Sequence, residues 1–292
     1  MKIIILARSI LPYSTQRIIE ELRNKNVEVC IYDPVLMRIF LSNSKRVIYY
    51  LDKKIGKPDG VIPRVGSSTL EYAISVLNQF ELMGVPTLNS AMAIYNSKNK
   101  LLTSQILSQH NLPIAKTLSV ASFTNVKQVV KMLGKPPYVI KILQGCQGNG
   151  VIYVDNKYSL ISVLDTLSFL GEEVIIQHFI KESKKCDYRV LVLYGEIIGA
   201  IRRKANKDDF RSNVHKGGIC ARVDIPSQLK ENAIKAVQIL GLDFAGVDFL
   251  MTQEAPIIIE VNSTAGFKGM EEATGKNIAR LLVEKFLERI KK

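Results

Sequence analysis

The amino-acid sequence predicts an α/β protein whose C-terminal part is α+β. Three observations predict this class: a strand–helix–strand pattern at the N-terminus, a change of pattern near residue 95, and strands separated by short glycine-containing turns from Tyr138 onward. We therefore expect an N-terminal domain with an open parallel sheet over residues 1–95. Two parts with antiparallel sheets should follow, over residues 96–182 and 183–292.

The N-terminal pattern begins with a β-branched run from Lys2 to Ala7, which predicts a buried parallel strand. Residues Thr15 to Asn24 follow with helical spacing, and Val27 to Tyr32 predict the second strand. This is a β-α-β unit. Residues 8–14 contain no glycine, which disfavours a dinucleotide-binding turn.

A further strand is predicted from Asp59 to Val65, followed by a helix over residues 69–83 and a short strand at 87–88. The strand predicted from Asp59 to Val65 ends with Arg64, within the sequence Pro-Arg-Val-Gly. Ligands of open α/β sheets lie outside the carboxyl ends of the strands, so Arg64 is placed where it can hold an anionic substrate. A surface arginine in a strand-to-helix turn is the alternative.

At the junction near residue 95, Ser97 is predicted to cap a helix that continues to Leu107. Leu101, Leu102 and Ile106 would form its apolar stripe together with Leu107. The domain boundary is expected just before this helix.

The segment after Tyr138 places a glycine loop, residues 144–150, between the predicted strands 138–143 and 151–154. A P-loop or a Rossmann turn would lead into a helix instead. A glycine loop between antiparallel strands can fold over a triphosphate, and Lys141 on the preceding strand can reach the phosphates. The loop alone fits an ordinary hairpin equally well, whereas a lysine within an apolar strand favours a nearby anion.

Near the C-terminus, Asp248 lies in the strand 245–250, and Glu260 and Asn262 lie in the returning strand 257–262. Glu260 and Asn262 share one face, and the spacing can bring Asp248 opposite Glu260. Two carboxylates and an amide oxygen on one face predict a site for Mg²⁺.

Composition limits the classes of function. The 292 residues contain 40 Lys and Arg against 27 Asp and Glu, a net charge of +13, and a hydrophobic share of 47% excludes disorder. No apolar stretch approaches the ~20 residues of a membrane helix. Four widely spaced cysteines indicate neither zinc nor a disulfide framework, as expected for a cytoplasmic protein. The charge favours anionic partners without choosing among nucleotide, acidic polypeptide and nucleic acid.

Together these features resemble the ATP-grasp superfamily of carboxylate–amine ligases. Further stretches resemble its RimK-type α-L-glutamate ligases, namely residues 63–66, 209–213, 215–218 and 245–248. The resemblance extends along almost the whole chain. It implies a two-part ATP-grasp fold behind the N-terminal domain.

The resemblance also implies the site residues. The ATP contacts would be Lys100 and Lys141 for the phosphates, Gly145, Gly148 and Gly150 in the glycine loop, His178 and Phe179 for adenine, Asp187 for ribose, and Arg211, Ser212 and Asn213 for the triphosphate. Arg203, Arg211 and Asn213 would be catalytic, and Asp248, Glu260 and Asn262 would hold two Mg²⁺ or Mn²⁺ ions.

Three positions depart from the family pattern. They are His178 where Glu is frequent, Cys146 where Thr is common, and Ala265 where the turn usually has proline. None removes a metal ligand or a phosphate-binding lysine, so an active enzyme is expected.

The activity implied is ATP-dependent addition of L-glutamate to the C-terminus of the sixth small-subunit ribosomal protein, through an acyl phosphate, with release of ADP and phosphate. The implied partners are L-glutamate and that acidic tail, with Lys181, Lys184 and Lys185 as candidates to steer it. A homo-oligomer such as a tetramer is expected, without membrane or direct nucleic-acid binding. The alternatives are a related ligase for a small-molecule or carrier-protein carboxylate, a non-catalytic ATP-binding scaffold, and a nucleic-acid-binding protein suggested by charge alone.

Overall fold

A computed structural model of the protein describes residues 1–66, 69–121, 125–143, 150–183, 186–205 and 219–291. Several predicted site residues lie outside this part of the chain: Gly145, Gly148, Lys184, Lys185, Arg211, Ser212 and Asn213.

The strands of the described residues are β1 (Lys2–Leu6), β2 (Glu28–Tyr32), β3 (Met37–Leu41), β4 (Arg46–Tyr50), β5 (Lys53–Lys54), β6 (Gly60–Pro63), β7 (Thr117–Val120), β8 (Tyr138–Ile142), β9 (Val151–Val154), β10 (Val174–His178), β11 (Cys186–Leu193), β12 (Glu196–Lys204), β13 (Ile219–Arg222), β14 (Phe244–Met251) and β15 (Pro256–Asn262). The helices are α1 (Tyr13–Asn24), α2 (Leu70–Leu82), α3 (Ala91–Lys98), α4 (Lys100–Gln109), α5 (Val126–Leu133), α6 (Lys157–Phe169), α7 (Ser227–Ile239), α8 (Lys268–Thr274) and α9 (Ile278–Lys291). In this part of the chain, no helix combines the length and apolar character needed to cross a lipid bilayer.

The N-terminal sheet is parallel, with the strand order β2-β1-β6, which confirms the predicted β-α-β unit. Ile3, Ile4 and Ile5 of β1 are fully buried, as expected for a central strand covered on both faces. The strand predicted at residues 87–88 is only a single parallel bridge between Val61 and Thr87.

A second N-terminal sheet, β3-β4-β5, was not predicted from the sequence. It is antiparallel and follows directly after β2. Met37 and Ile48 on its inner face belong to the same buried core as Phe80 of α2. The hydroxyl of Tyr72, also on α2, donates to the carbonyl oxygen of Met37 at 2.8 Å.

The helix predicted to start after Ser97 begins later. In the structure α3 ends at Lys98 and α4 begins at Lys100, with Asn99 between them. The side-chain oxygen of Asn99 accepts from the backbone N–H groups of Leu101 and Leu102, both at 3.0 Å, so Asn99 is the cap. Ser97 is buried within α3, where its hydroxyl donates to the carbonyl of Ile94.

The described residues that follow α4 form two antiparallel sheets, with the orders β7-β10-β8-β9 and β13-β12-β11-β14-β15. This confirms the predicted change from a parallel to an antiparallel arrangement. Helix α7 packs on the second of these sheets, where Leu229 and Val237 share a core with Val190 and Val247.

The C-terminal helix α9 returns to the start of the chain. Leu282 and Phe286 of α9 are buried in one core with Ile3 and Ile5 of β1 and Ile18 of α1. The core of the first part therefore includes residues from the last. The three-part division of the chain stays a prediction.

Candidate active site

Two carboxylates face one another on neighbouring strands of the C-terminal sheet. Asp248 of β14 is the direct register partner of Glu260 of β15, as the spacing predicted. The next residue pair is Phe249 with Ile258, so Ile259 is an extra residue in a β-bulge. Asp248 is buried, with 2% of its surface exposed, and needs partners for its charge.

Arg189, which the sequence analysis missed, is the main partner of Asp248. Its Nε donates to Asp248 Oδ1 at 2.7 Å and its Nη2 to Oδ2 at 2.6 Å, a bidentate pair. Arg189 lies directly opposite Asp248 in the pairing of β11 with β14. The sequence carries one signal of this role, because Asp187 and Arg189 alternate on one face of an otherwise apolar strand.

Arg203 joins Asp248 to Asp187. Its Nη2 lies 2.9 Å from Asp248 Oδ2, and its Nε and Nη2 donate to the two oxygens of Asp187 at 2.6 Å each. Arg203 and Asp187 are 2% and 3% exposed. Since both oxygens of Asp187 accept from Arg203, its predicted contact with ribose stays a prediction.

The charges in this network are coupled. Burial raises the pKa of Asp248, but the guanidinium groups of Arg189 and Arg203 outweigh burial and hold that pKa below its usual value. Burial lowers the pKa of Arg203, whereas Asp248 and Asp187 raise it further, so Arg203 stays protonated. Truncating one member would leave an uncompensated buried charge.

Asn262 follows Glu260 on the same face of β15. With its amide nitrogen donating to Glu260 Oε1 at 3.2 Å, its oxygen accepts from Arg189 Nη2 at 3.2 Å. The three predicted metal ligands are thus in one place, next to an arginine.

This donor set fits a divalent cation. Its carboxylate and amide oxygens are hard ligands, and Glu260 lines the cavity, whereas both oxygens of Asp248 accept from Arg189 and would share their remaining lone pairs with a cation. Among the described residues, no group of three or more His, Cys, Asp and Glu side chains is placed to hold a metal. A bound cation would therefore need oxygens from outside these side chains, such as those of phosphates.

Lys141 of β8 is electrostatically linked to this set. Burial lowers its pKa to about 8, with Lys100 lowering it as well and Glu260 and Asp248 opposing the change. Lys100 is the first residue of α4, and its Nζ donates to the carbonyl of Leu143 at 3.3 Å. Both predicted phosphate lysines therefore lie beside the start of the glycine loop.

Gly150 is the last residue of the glycine loop and the one that the structure describes. Its φ is +70°, and a Cβ at this position would lie 2.2 Å from Cγ1 of Ile142. Both features require glycine here. Whether the loop contacts phosphate stays a prediction.

His178 and Phe179, predicted near adenine, lie at the end of β10. Each ring makes an edge-on aromatic contact, His178 with Tyr138 at 6.4 Å and Phe179 with Tyr153 at 5.0 Å between ring centroids. The backbone N–H of Phe179 donates to the carbonyl of Pro137 at 3.0 Å. The described residues that line the cavity do not include either one.

A cavity of about 720 Å³ extends from Glu260 and Asn262 to residues at the end of the N-terminal sheet, such as Arg64 and Val65. Among the described residues that line it, Glu260 is the one acidic side chain. The basic side chains are Arg8, Arg64, Lys98, Lys100, Arg189, Arg203 and Lys268. Such a cavity is built to hold anions.

Arg64, the predicted substrate residue, lines the N-terminal side of this cavity. Its Nη2 donates to the carbonyl of Ala265 at 3.4 Å, whereas its Nε is buried without a hydrogen-bond partner. Burial lowers the pKa of Arg64 to about 10, so the group stays charged at neutral pH.

Two family models together match almost the whole chain. Residues 1–94 match the family model described as the RimK PreATP-grasp domain, and residues 97–286 match the RimK-like ATP-grasp domain. The chain belongs to the RimK-like ATP-grasp family.

Curated members of the family align along nearly the full length. "Probable alpha-L-glutamate ligase" from Vibrio cholerae is 38% identical over 289 residues, covering 99% of this chain and 96% of the relative. The protein of the same name from Methanococcoides burtonii is 36% identical over 284 residues, covering 97% and 94%.

Solved structures agree on the fold. The ATP-grasp ligase PsnB, complexed with a phosphomimetic precursor variant, Mg and ADP, has a TM-score of 0.76 at 19% identity and covers 99% of this chain and 98% of its own. The D-alanine–D-alanine ligase from Bacillus anthracis has a TM-score of 0.71 at 19% identity, with 100% and 99% coverage. The predictions of an ATP-grasp fold and of an ATP-dependent ligase are confirmed.

Proposed function

We propose that this RimK-like ATP-grasp ligase joins L-glutamate to a carboxylate of an acidic protein. The observation that carries the proposal is Glu260, which lines a cavity otherwise rich in cations and lies opposite the buried Asp248 on the neighbouring strand. ATP, glutamate and an acidic chain are all anions, so one cavity of this charge suits all three. The names of relatives at 36–38% identity support glutamate as the amino acid.

The acceptor that we propose is the C-terminal tail of the sixth small-subunit ribosomal protein, on the strength of the sequence resemblance. An acidic tail would enter a cavity whose basic side chains include Arg8 and Lys268. A cytoplasmic location and a homo-oligomeric state stay predictions.

The reaction has two steps. A carboxylate oxygen of the acceptor attacks the γ-phosphorus of ATP, the bond to the β-phosphate oxygen breaks, and ADP leaves. The amine of glutamate then attacks the acyl carbon, the carbon–oxygen bond to phosphate breaks, and the amine gives up a proton as the amide forms. The first step depends mainly on positioning and charge stabilisation.

The residues of this chain supply that stabilisation. Lys100 and Lys141 would balance charge on the phosphates, and Arg189 and Arg203 would place positive charge beside Asp248. Asp248, Glu260 and Asn262 would hold Mg²⁺ or Mn²⁺, and we propose that two such ions bind. A bound divalent ion neutralises phosphate charge and orients the phosphate oxygens.

Arg64 is proposed as a substrate residue. Its Nε is a buried donor without an acceptor, and leaving such a donor unpaired is costly. A carboxylate in the adjoining cavity would satisfy this donor.

The test is phosphate release from Mg-ATP with L-glutamate, with and without the ribosomal protein, followed by intact mass of that protein. We expect mass increments of whole glutamate residues. Glu260→Gln should lower turnover about 100-fold or more, because it removes a carboxylate ligand of the divalent ion that would neutralise the transferring phosphate. Asp248→Asn should do the same, whereas Asp165→Asn on the exposed face of α6 should leave the rate unchanged.

The outcomes separate the candidate functions. Turnover without a mass change in the ribosomal protein would contradict this acceptor and indicate a small-molecule or carrier-protein carboxylate. ATP binding without turnover by any amino acid would contradict the ligase itself. Because Asp248 is buried, Glu260→Gln decides the case if Asp248→Asn fails to fold.

A further inference from the structure

The second N-terminal sheet has an outer face that the proposed catalysis does not use. Met37, Ile39, Ile48 and Tyr50 point toward the buried core, so the residues that alternate with them point outward. In register, Arg38, Tyr49 and Lys54 form one outer row, and Phe40 and Val47 form the next. We call these five residues the outer face.

This face is basic and aromatic. Two of its five residues are the cations Arg38 and Lys54, and Asp52 is the one acidic residue within residues 37–54. Asp52 lies 2.9 Å from Arg38, but the two side chains are 90% and 68% exposed, so their attraction is weak. Phe40 is 51% exposed, although an aromatic side chain gains free energy from burial.

The outer face lies at the same end of the molecule as the cavity. Strand β3 begins at Met37, shortly after the carboxyl end of β2, and the ring of Tyr50 stacks on Tyr32 at 4.4 Å. Arg8, which lines the cavity, lies 3.7 Å from Asp33 at the same strand end. A chain held on the sheet would therefore be near the basic side of the cavity.

We propose that the outer face docks an acidic segment of the protein substrate, outside the reaction cavity. The proposal rests on the proposed function, which requires an acidic protein acceptor. Cations beside exposed aromatic and aliphatic side chains suit a polypeptide that carries both carboxylates and apolar groups. A nucleic acid would need a larger number of phosphate contacts than two cations provide.

The test measures binding of fluorescein-labelled poly-L-glutamate by anisotropy at low salt. Arg38→Glu with Lys54→Glu should weaken binding about tenfold, since two attractions become repulsions. The matched control is Lys127→Glu with Lys131→Glu, which makes the same charge change on the exposed face of α5. Because this control alters only overall charge, it should weaken binding about twofold or less.

A second variant tests the apolar row. Phe40→Ser should weaken binding of a labelled peptide of alternating glutamate and leucine at unchanged charge, and it should leave binding of poly-L-glutamate nearly the same. In turnover assays with the whole protein acceptor, Arg38→Glu with Lys54→Glu should raise the KM for that acceptor. The KM for glutamate should stay as in the wild type.

Equal losses in both charge-reversal pairs would overturn the proposal, because binding would then follow net charge. Tighter binding of an RNA duplex, lost in the Arg38 and Lys54 variant, would also overturn it in favour of nucleic acid. The binding measurement needs no turnover. An inactive enzyme that still binds peptide through this face would contradict the proposed function alone.

Discussion

Lys141 illustrates how one residue's charge depends on its neighbours. Burial and the charge of Lys100 disfavour its ammonium form, and Glu260 and Asp248 favour it, with a resulting pKa of about 8. An ammonium group held in so unfavourable a site gains from a bound anion, which would raise its pKa again. This supports the proposed contact of Lys141 with phosphate.

The pH dependence of ATP binding follows from this pKa. Lys141 is charged below about pH 8 and loses its proton as the pH rises through that value. We expect the KM for ATP to increase from pH 7 to pH 9, by up to about tenfold per pH unit above the pKa. Phosphate release at saturating glutamate measures it.

Lys141→Arg should flatten this profile, because arginine stays protonated throughout the range. Lys135→Arg, an exposed change before β8, should keep the wild-type profile. A slope that persists in Lys141→Arg would assign the titration to another group.

At the scale of secondary structure, local pattern determined what was predictable. The opposition of Asp248 and Glu260 follows from one short hairpin, and it was predicted. Arg189 was missed because its partner Asp248 lies 59 residues away, and the alternation of Asp187 and Arg189 on one face of β11 does not reveal that β11 pairs with β14. The sheet β3-β4-β5 was missed although its strands are local, because its exposed aromatic and apolar residues do not alternate regularly with polar ones.

The packing of β6 against α9 gives a test at this scale. A Cβ on Gly60 would lie 2.7 Å from Cδ1 of Ile290 and 2.9 Å from Cζ of Phe286. Gly60→Ala should therefore lower the free energy of unfolding by about 1–3 kcal/mol, since a rigid ring must move. Urea unfolding followed by circular dichroism measures the loss.

Gly56→Ala is the matched control, because nothing lies within 4 Å of the added methyl group. This variant should leave the free energy of unfolding unchanged or raise it by about 0.5 kcal/mol, because alanine lowers the conformational entropy of the unfolded chain. Equal stability of the two variants would mean that α9 does not pack closely on β6.

On the scale of the whole molecule, two of the contacts between the first and last parts of the chain are buried next to the hairpin that carries the carboxylates. One is the apolar core that α9 shares with β1 and α1. The other is the buried side chain of Asn89, which is 1% exposed. The turn that follows β15 joins both contacts to the cavity. Its Ala265 belongs to the shared apolar core, lines the cavity and accepts from Arg64.

Asn89 bonds to backbone groups at both ends of the β14–β15 hairpin. Its Nδ2 donates to the carbonyls of Phe244 and Ser263 at 2.7 and 2.8 Å. Its Oδ1 accepts from the N–H groups of Asp243 and Phe244 at 2.8 and 2.7 Å. One amide therefore satisfies four backbone groups, three of them in buried bonds, between the N-terminal part and the strands that carry the carboxylates.

Asn89→Ala should lower the free energy of unfolding by about 3 kcal/mol or more, because several buried groups lose their partners together. Asn89→Asp should also destabilise, since a carboxylate would face two carbonyl oxygens. Asn43→Ala, in the exposed β3–β4 turn, should change stability little. If Asn89→Ala unfolds at the same urea concentration as the wild type, the amide does not hold the two parts together. If the variant is destabilised but binds ATP normally when folded, the contact contributes to stability and not to the site.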